Sequence, residues 1–130
     1  MRMICSALTT VALILPAVPA VAAPDDILGS WSGSGTARPA DGAPEKVSCR
    51  LSYSEGSGRT YEISATCSHT GGSFTQSGRV VSVGGNRYTG RMYSSQYNAT
   101  GDVAVTLNGN RQTVYVKSEK GSASVSLRKR

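Results

Sequence analysis

Val103-Ala104-Val105-Thr106-Leu107 and Thr113-Val114-Tyr115-Val116-Lys117, joined through Asn108-Gly109-Asn110-Arg111-Gln112, decide the fold. Apolar and polar residues alternate through both halves, which is the period of a strand with one buried face. A two-residue turn at Gly109-Asn110 sets Val105 opposite Val114 and Val103 opposite Val116. Gly and Asn tolerate the positive φ that such turns require. All four valines then share one face. A slip of one residue would mix the faces, so turn and pattern test each other.

The same reading extends in both directions. A turn at Lys120-Gly121 pairs Val116 with Val125 and Val114 with Leu127. A turn at Gly85-Asn86 pairs Val83 with Tyr88 and Val81 with Gly90, leaving Arg87 and Arg91 outside. Further back, Cys49 opposite Cys67 sets Leu51 against Ala65 and Tyr53 against Ile63, around a loop centred on Gly58. Eight strands follow, at about 29–37, 46–54, 60–68, 73–83, 87–94, 99–108, 111–119 and 122–129. No helical apolar period occurs after the first two dozen residues, and glycine alone accounts for 15 positions. Short strands and tight turns predict an all-β domain, a single eight-stranded antiparallel up-and-down barrel, with a two-sheet sandwich as the alternative. Its expected interior is Leu51, Tyr53, Ile63, Val81, Val83, Met92, Val103, Val105, Leu107, Val114, Val116, Val125 and Leu127. With strands this short, that interior is expected to be mostly filled.

Residues 1–22 read differently. Arg2, an apolar run from Leu8 to Val21 and the small-x-small Ala20-Val21-Ala22 have the layout of a cleaved secretory signal, leaving 23–130 as one domain. Pro16 and Pro19 interrupt the run, which counts against a membrane anchor. Cys5 precedes the run rather than ending it, so a lipid anchor is not expected. Cleavage would discard Cys5 and leave Cys49 and Cys67, an even pair for one disulfide in a periplasmic or secreted protein. Closing about 17 intervening residues stabilises by roughly 3 kcal/mol on the loop-entropy model.

Candidate chemistry is sparse. His69, the sole histidine, lies just after a strand and reads as a solvent-exposed turn residue, and no nucleophile-elbow pattern surrounds a serine. Glu62 and Asp102 fall on outward faces, so no carboxylate pair suggests itself and no enzyme is expected. Cys49, Cys67 and His69 lack the paired spacing of a zinc site, so neither metal nor cofactor is expected. Gly29-Ser30-Trp31-Ser32-Gly33-Ser34-Gly35 is not followed by a helix, which removes the usual phosphate cradle. Its glycines suit sharp bending or close backbone approach. The outward Arg50, Glu62, Thr106, Lys117, Ser124 and Ser126 exclude a lipid-facing barrel wall.

Gly29-Ser30-Trp31 at the head of an eight-strand meander resembles the Gly-x-Trp signature of lipocalin-like barrels, and of small periplasmic inhibitor-type barrels with one disulfide. That resemblance implies that Trp31 plugs one barrel end. The chain is much shorter than a lipocalin and carries no further lipocalin motif. Ser57-Gly58-Arg59-Thr60-Tyr61 resembles the Ser-Gly-x-x-Tyr loop of periplasmic lysozyme inhibitors, although the basic charge would repel a cationic lysozyme.

The formal net charge is +6, of which Arg2 supplies one unit, and most of the basicity is arginine. Such a surface attracts anionic envelope components, with Arg50, Arg87, Arg91 and Arg111 the expected contacts. Nucleic acid is not an expected partner in that compartment, and a monomer is expected. The function anticipated is therefore that of a non-catalytic exported envelope protein binding a ligand, an anionic component or a protein partner. The alternative is a hydrolase inhibitor acting through a mobile 23–28 segment or a hairpin loop. The exported chain should begin at Ala23 and contain no titratable thiol. Its intact mass should lie two hydrogens below that of the reduced form, and two reactive thiols would contradict the disulfide.

Overall fold

The computed structural model describes residues 10–15 and 24–130. The expected cleavage site, Arg2 and Cys5 lie outside the described residues. Residues 10–15 have no regular secondary structure, and Leu13 and Ile14 are about nine-tenths exposed, so they add nothing to the core.

A 3-10 turn, Pro24–Ile27, precedes eight strands: β1 (Gly29–Pro39), β2 (Glu45–Glu55), β3 (Thr60–His69), β4 (Gly72–Gly84), β5 (Arg87–Ser94), β6 (Ala99–Asn108), β7 (Arg111–Ser118) and β8 (Gly121–Lys129). Each strand pairs antiparallel with the next, and β8 returns to β1, closing an up-and-down barrel. The sandwich alternative is excluded. Closure is possible because β1 crosses β8 at very short range. A Cβ on Gly33 would collide with the Ser126 carbonyl oxygen, and one on Gly35 with that of Ser124. Gly78 and Gly90 allow the same approach between β4 and β5, on the far side of the barrel.

The Gly109-Asn110 turn and the Val103–Val116 and Val105–Val114 pairs form as expected. Cys49 likewise faces Cys67, Leu51 faces Ala65, and Tyr53 faces Ile63.

Two registers differ from expectation. The β7–β8 turn falls at Glu119 and Lys120, so Val114 meets Val125 and Gln112 meets Leu127. This slip of two residues preserves the faces, since side chains alternate at period two.

The β4–β5 case is different. The turn lies at Gly85 and Asn86 as read, and Gly84 faces Arg87, but a bulge at Val83 brings Ser82 rather than Val83 opposite Tyr88. One extra residue inverts the faces of the preceding strand. Val81 and Val83 therefore point outward, 37% and 57% exposed, and Val80 is buried against Tyr61 and Gly90 instead. The β3–β4 turn at Thr70 and Gly71 had already fixed this parity by setting His69 opposite Gly72.

The core is densest toward the chain termini. Ile27, Trp31, Tyr53, Tyr61, Ile63, Val80, Tyr88, Val105, Leu107 and Leu127 are all buried there. Trp31 Nε1 donates to the Ile27 carbonyl at 2.9 Å, and Lys129 Nζ lies 5.6 Å from the indole centroid while donating to the Asp26 carbonyl. Residues 26–28 are thus docked rather than mobile. Tyr61 and Tyr88 meet edge to face at 5.8 Å, a geometry that aromatic quadrupoles favour.

One polar pair sits inside this apolar mass: Tyr53 Oη donates to Gln112 Oε1 at 2.7 Å. Burial pushes the Tyr53 hydroxyl far above its ordinary value, with Tyr88 adding a smaller push the same way. The folded state keeps a proton that an unfolded tyrosine releases near pH 10. Its contribution is fully present below that pH and is lost as pH rises above it.

Three consequences are measurable. Gly35→Ala should destabilise the barrel by about 2–4 kcal/mol in denaturant titrations, against about 0.5 kcal/mol or less for Ser34→Ala on the outer face. Tyr53→Phe, which strips Gln112 of its donor, should lose about 1–3 kcal/mol at neutral pH. That variant should also lose stability less steeply than the unaltered protein as pH rises above about 10.

Candidate functional site

The two barrel ends are unequal because the inward residues differ in size. At the end formed by the 40–44, 70–71, 95–98 and 119–120 connections, the inward and rim positions include Ala37, Ser94, Ala99, Gly101, Ser118 and Ala123. Small side chains leave a cavity of about 310 Å³ between Val47, Phe74, Met92 and Val116. A narrower extension of about 40 Å³ continues inward, and its wall includes Leu51, Ala65, Val114 and Val125. The interior is therefore filled at one end and hollow at the other, which corrects the expectation of a mostly filled barrel.

The disulfide belongs to this cavity. Cys49 and Cys67 are bonded, with their Cα atoms 4.1 Å apart, and both line the inner extension. Their thiols are therefore not available as metal ligands. A bond of this kind belongs to an oxidising compartment. No helix among the described residues is long and apolar enough to cross a membrane.

The rim is polar and of mixed charge: Arg38, Asp41, Glu45, His69 and Lys120 surround the opening. His69 is not the exposed turn residue expected from sequence, since its side chain is only 17% exposed. Its Nδ1 accepts from the Gly71 N–H at 3.1 Å and lies 3.2 Å from Glu45 Oε2. The imidazole stands beside Phe74, at 5.9 Å between centroids, and Phe74 meets Tyr97 edge to face at 5.5 Å. Tyr97 is carried by the 95–98 connection, which Gln96 ties to β4 by accepting from the Thr75 N–H at 2.7 Å. Ser94 Oγ, on the cavity wall, is buried with no hydrogen-bond partner among the described residues.

This arrangement can enclose a small apolar body and offer it a few hydrogen-bonding groups near the mouth. Among the described residues, no group of three His, Cys, Asp or Glu could hold a metal ion.

The other expected site residues lie elsewhere. Trp31 is fully buried at the closed end. Arg50, Arg87, Arg91 and Arg111 are all exposed on the outer wall, and they do not form one cluster. Arg87 and Arg91 are on β5, where Arg91 pairs with Asp102 at 3.6 Å. Arg50 and Arg111 lie on the opposite wall, on β2 and β7. In the 57–61 loop, Tyr61 turns into the core and Thr60 Oγ1 donates to the Ser57 carbonyl, so the tyrosine is not presented to a partner.

Sequence reasoning missed Phe74, His69 and Tyr97 as cavity residues. The signal for Phe74 was the parity set by the Thr70-Gly71 turn. The signal for the hollow was the run of small residues at inward positions 37, 99, 101 and 123.

No family model matches the chain, and no curated protein matches it. Solved structures do. A redesigned β-barrel, b11L5F_LGL, aligns with a TM-score of 0.67 at 16% identity, covering 82% of this chain and 94% of its own. A second redesigned barrel, mFAP1, bound to DFHBI, aligns at 0.66 and 16% identity over 82% and 97%. Fatty-acid-binding protein 1 of Echinococcus granulosus aligns at only 0.44 and 12% identity over 81% and 98%. At these identities the designed barrels establish a shared eight-stranded barrel fold and nothing finer. No family match supports an inhibitor-type lipocalin.

Proposed function

We propose that the domain is a non-catalytic, exported binding barrel that takes one small, mainly apolar molecule with a polar head into its open end. The observation that carries this reading is the cavity itself. Some 310 Å³ lined by Val47, Phe74, Met92 and Val116, with a polar rim, lies at the lower end of the range for small-molecule sites. The unpartnered Ser94 Oγ supports a ligand with a hydrogen-bonding group near the mouth, because a buried polar atom without a partner is costly. An eight-stranded barrel is wide enough to hold one small ligand, and mFAP1, which shares the fold, is bound to DFHBI. Export rests on the leader pattern and is supported by the disulfide.

The test is titration with a neutral apolar dye, N-phenyl-1-naphthylamine, followed by its emission. Saturable one-to-one binding with a blue shift is expected. Ala123→Phe, which fills the cavity, should weaken binding at least tenfold while thermal unfolding remains cooperative. Absence of saturable binding, or binding indifferent to Ala123→Phe, would contradict the reading.

A further inference from the structure

The barrel's outer wall is divided by charge in a way its pairing register makes visible. On the β3–β6 side, two of the three exposed strand arginines have acidic partners: Arg79 Nε lies 2.7 Å from Glu62 Oε1, and Arg91 Nε 3.6 Å from Asp102 Oδ1, whereas Arg87 stands opposite Thr106. On the β7–β8–β1–β2 side, no Asp or Glu occupies an outward position. Glu45 and Glu55, the two acids of β2, share the inward parity of Val47 and Tyr53 at the strand ends, and Glu45 is turned to His69.

Register then aligns the cations. Arg50 on β2 stands opposite Ser32 on β1, Ser32 opposite Arg128 on β8, and Arg128 directly opposite Arg111 on β7. Three exposed arginines therefore lie in one row across four adjacent strands. Arg130 extends the row past the end of β8, its N–H bonded to the Ser30 carbonyl. None of these four arginines takes part in an ion pair among the described side chains.

Neighbouring strands are about 4.8 Å apart. Arg111 and Arg128 are thus separated by about one spacing, and Arg50 lies about two spacings beyond Arg128. Like charges directly opposite on adjacent strands repel, a cost that a bound anion would relieve. Around the row the outward positions are hydroxyls: Ser34, Ser48, Ser52, Thr113, Ser124 and Ser126.

We propose that this wall is a second binding site, separate from the cavity, for an acidic polysaccharide laid across the strands. Arginine forks clamp carboxylate or sulfate oxygens in two-point hydrogen bonds. The serine and threonine hydroxyls are short, and they donate and accept, which suits the hydroxyls of a sugar chain. A membrane surface is disfavoured by the lack of large apolar anchors on this wall, where Tyr115 is the exposed aromatic. The site re-sorts the arginines singled out by sequence. Arg50 and Arg111 belong to it, Arg128 joins them, and Arg87 and Arg91 are excluded.

The test uses the full mature chain and immobilised heparin as the acidic polysaccharide. The triple variant Arg50→Gln, Arg111→Gln, Arg128→Gln is compared with Arg79→Gln, Arg87→Gln, Arg91→Gln, which removes the same charge from the opposite wall. The first triple should weaken heparin binding at least tenfold at low salt. It should also reduce the slope of log Kd against log salt by about two to three, at roughly 0.7–0.9 per lost contact. The control triple should change affinity less than threefold. An Arg→Lys triple at the first three positions, which keeps charge and loses the fork, should fall between. Far-UV circular dichroism and undiminished N-phenyl-1-naphthylamine binding by the first triple would show that fold and cavity are intact. Equal weakening by both charge-removing triples, or no heparin binding at all, overturns the proposal. Tighter binding to phosphatidylglycerol vesicles or to single-stranded DNA than to heparin also overturns it.

Discussion

The approach of β1 to β8 is the constraint on which the rest of the molecule depends. Nine residue pairs from Trp31–Lys129 to Pro39–Gly121 join the first strand to the last, and they form only because Gly33 and Gly35 present no Cβ to the backbone of β8. With that seam made, every strand has two neighbours and no edge is left to pair with another chain. The same seam places Arg128 beside Ser32 and so creates the basic row. It also brings Ala37 and Ala123 opposite each other at the mouth of the cavity. An open sheet of identical sequence would have neither site.

Given closure, the size of the inward residues decides what each end does. Trp31, Tyr53, Tyr61 and Tyr88 fill the end near the termini, and the docked Ile27 seals it. Small residues at the other end leave space that the strands' curvature alone would not provide. The disulfide lies between these regimes, bridging β2 and β3 on the wall of the inner extension. It therefore cross-links the barrel wall where the packed end gives way to the hollow one.

Much of this was legible in the residues. Alternation with Gly-Asn turns located all eight strands to within a residue or two, and parity placed Cys49 opposite Cys67. What escaped was whatever local pattern could not encode. Val81 and Val83 read as inward because alternation has no term for an extra residue, and the bulge at Val83 became evident only through pairing with β5. The hollow end escaped because a cavity depends on which small residues meet across strands far apart in sequence. His69 was misplaced because its partner, Glu45, opens the other strand of the same hairpin, beyond the Ser48–Ser68 pair where the β2–β3 register ends. The arginine row was half visible. Arg50 and Arg111 were identifiable as outward, but that they share a row with Arg128, and that Arg87 and Arg91 do not, depends on the closing register.

The central claim is that one end of a closed barrel is packed and the other is built to receive a small molecule. Backbone amide chemical shifts of isotope-labelled protein, recorded with and without saturating N-phenyl-1-naphthylamine, test it most directly. The account predicts large perturbations at Val47, Phe74, Met92, Val116 and Ala123, with Trp31, Tyr88 and Leu107 little moved. Perturbations centred on the Trp31 end, or spread thinly over the outer wall, would contradict it.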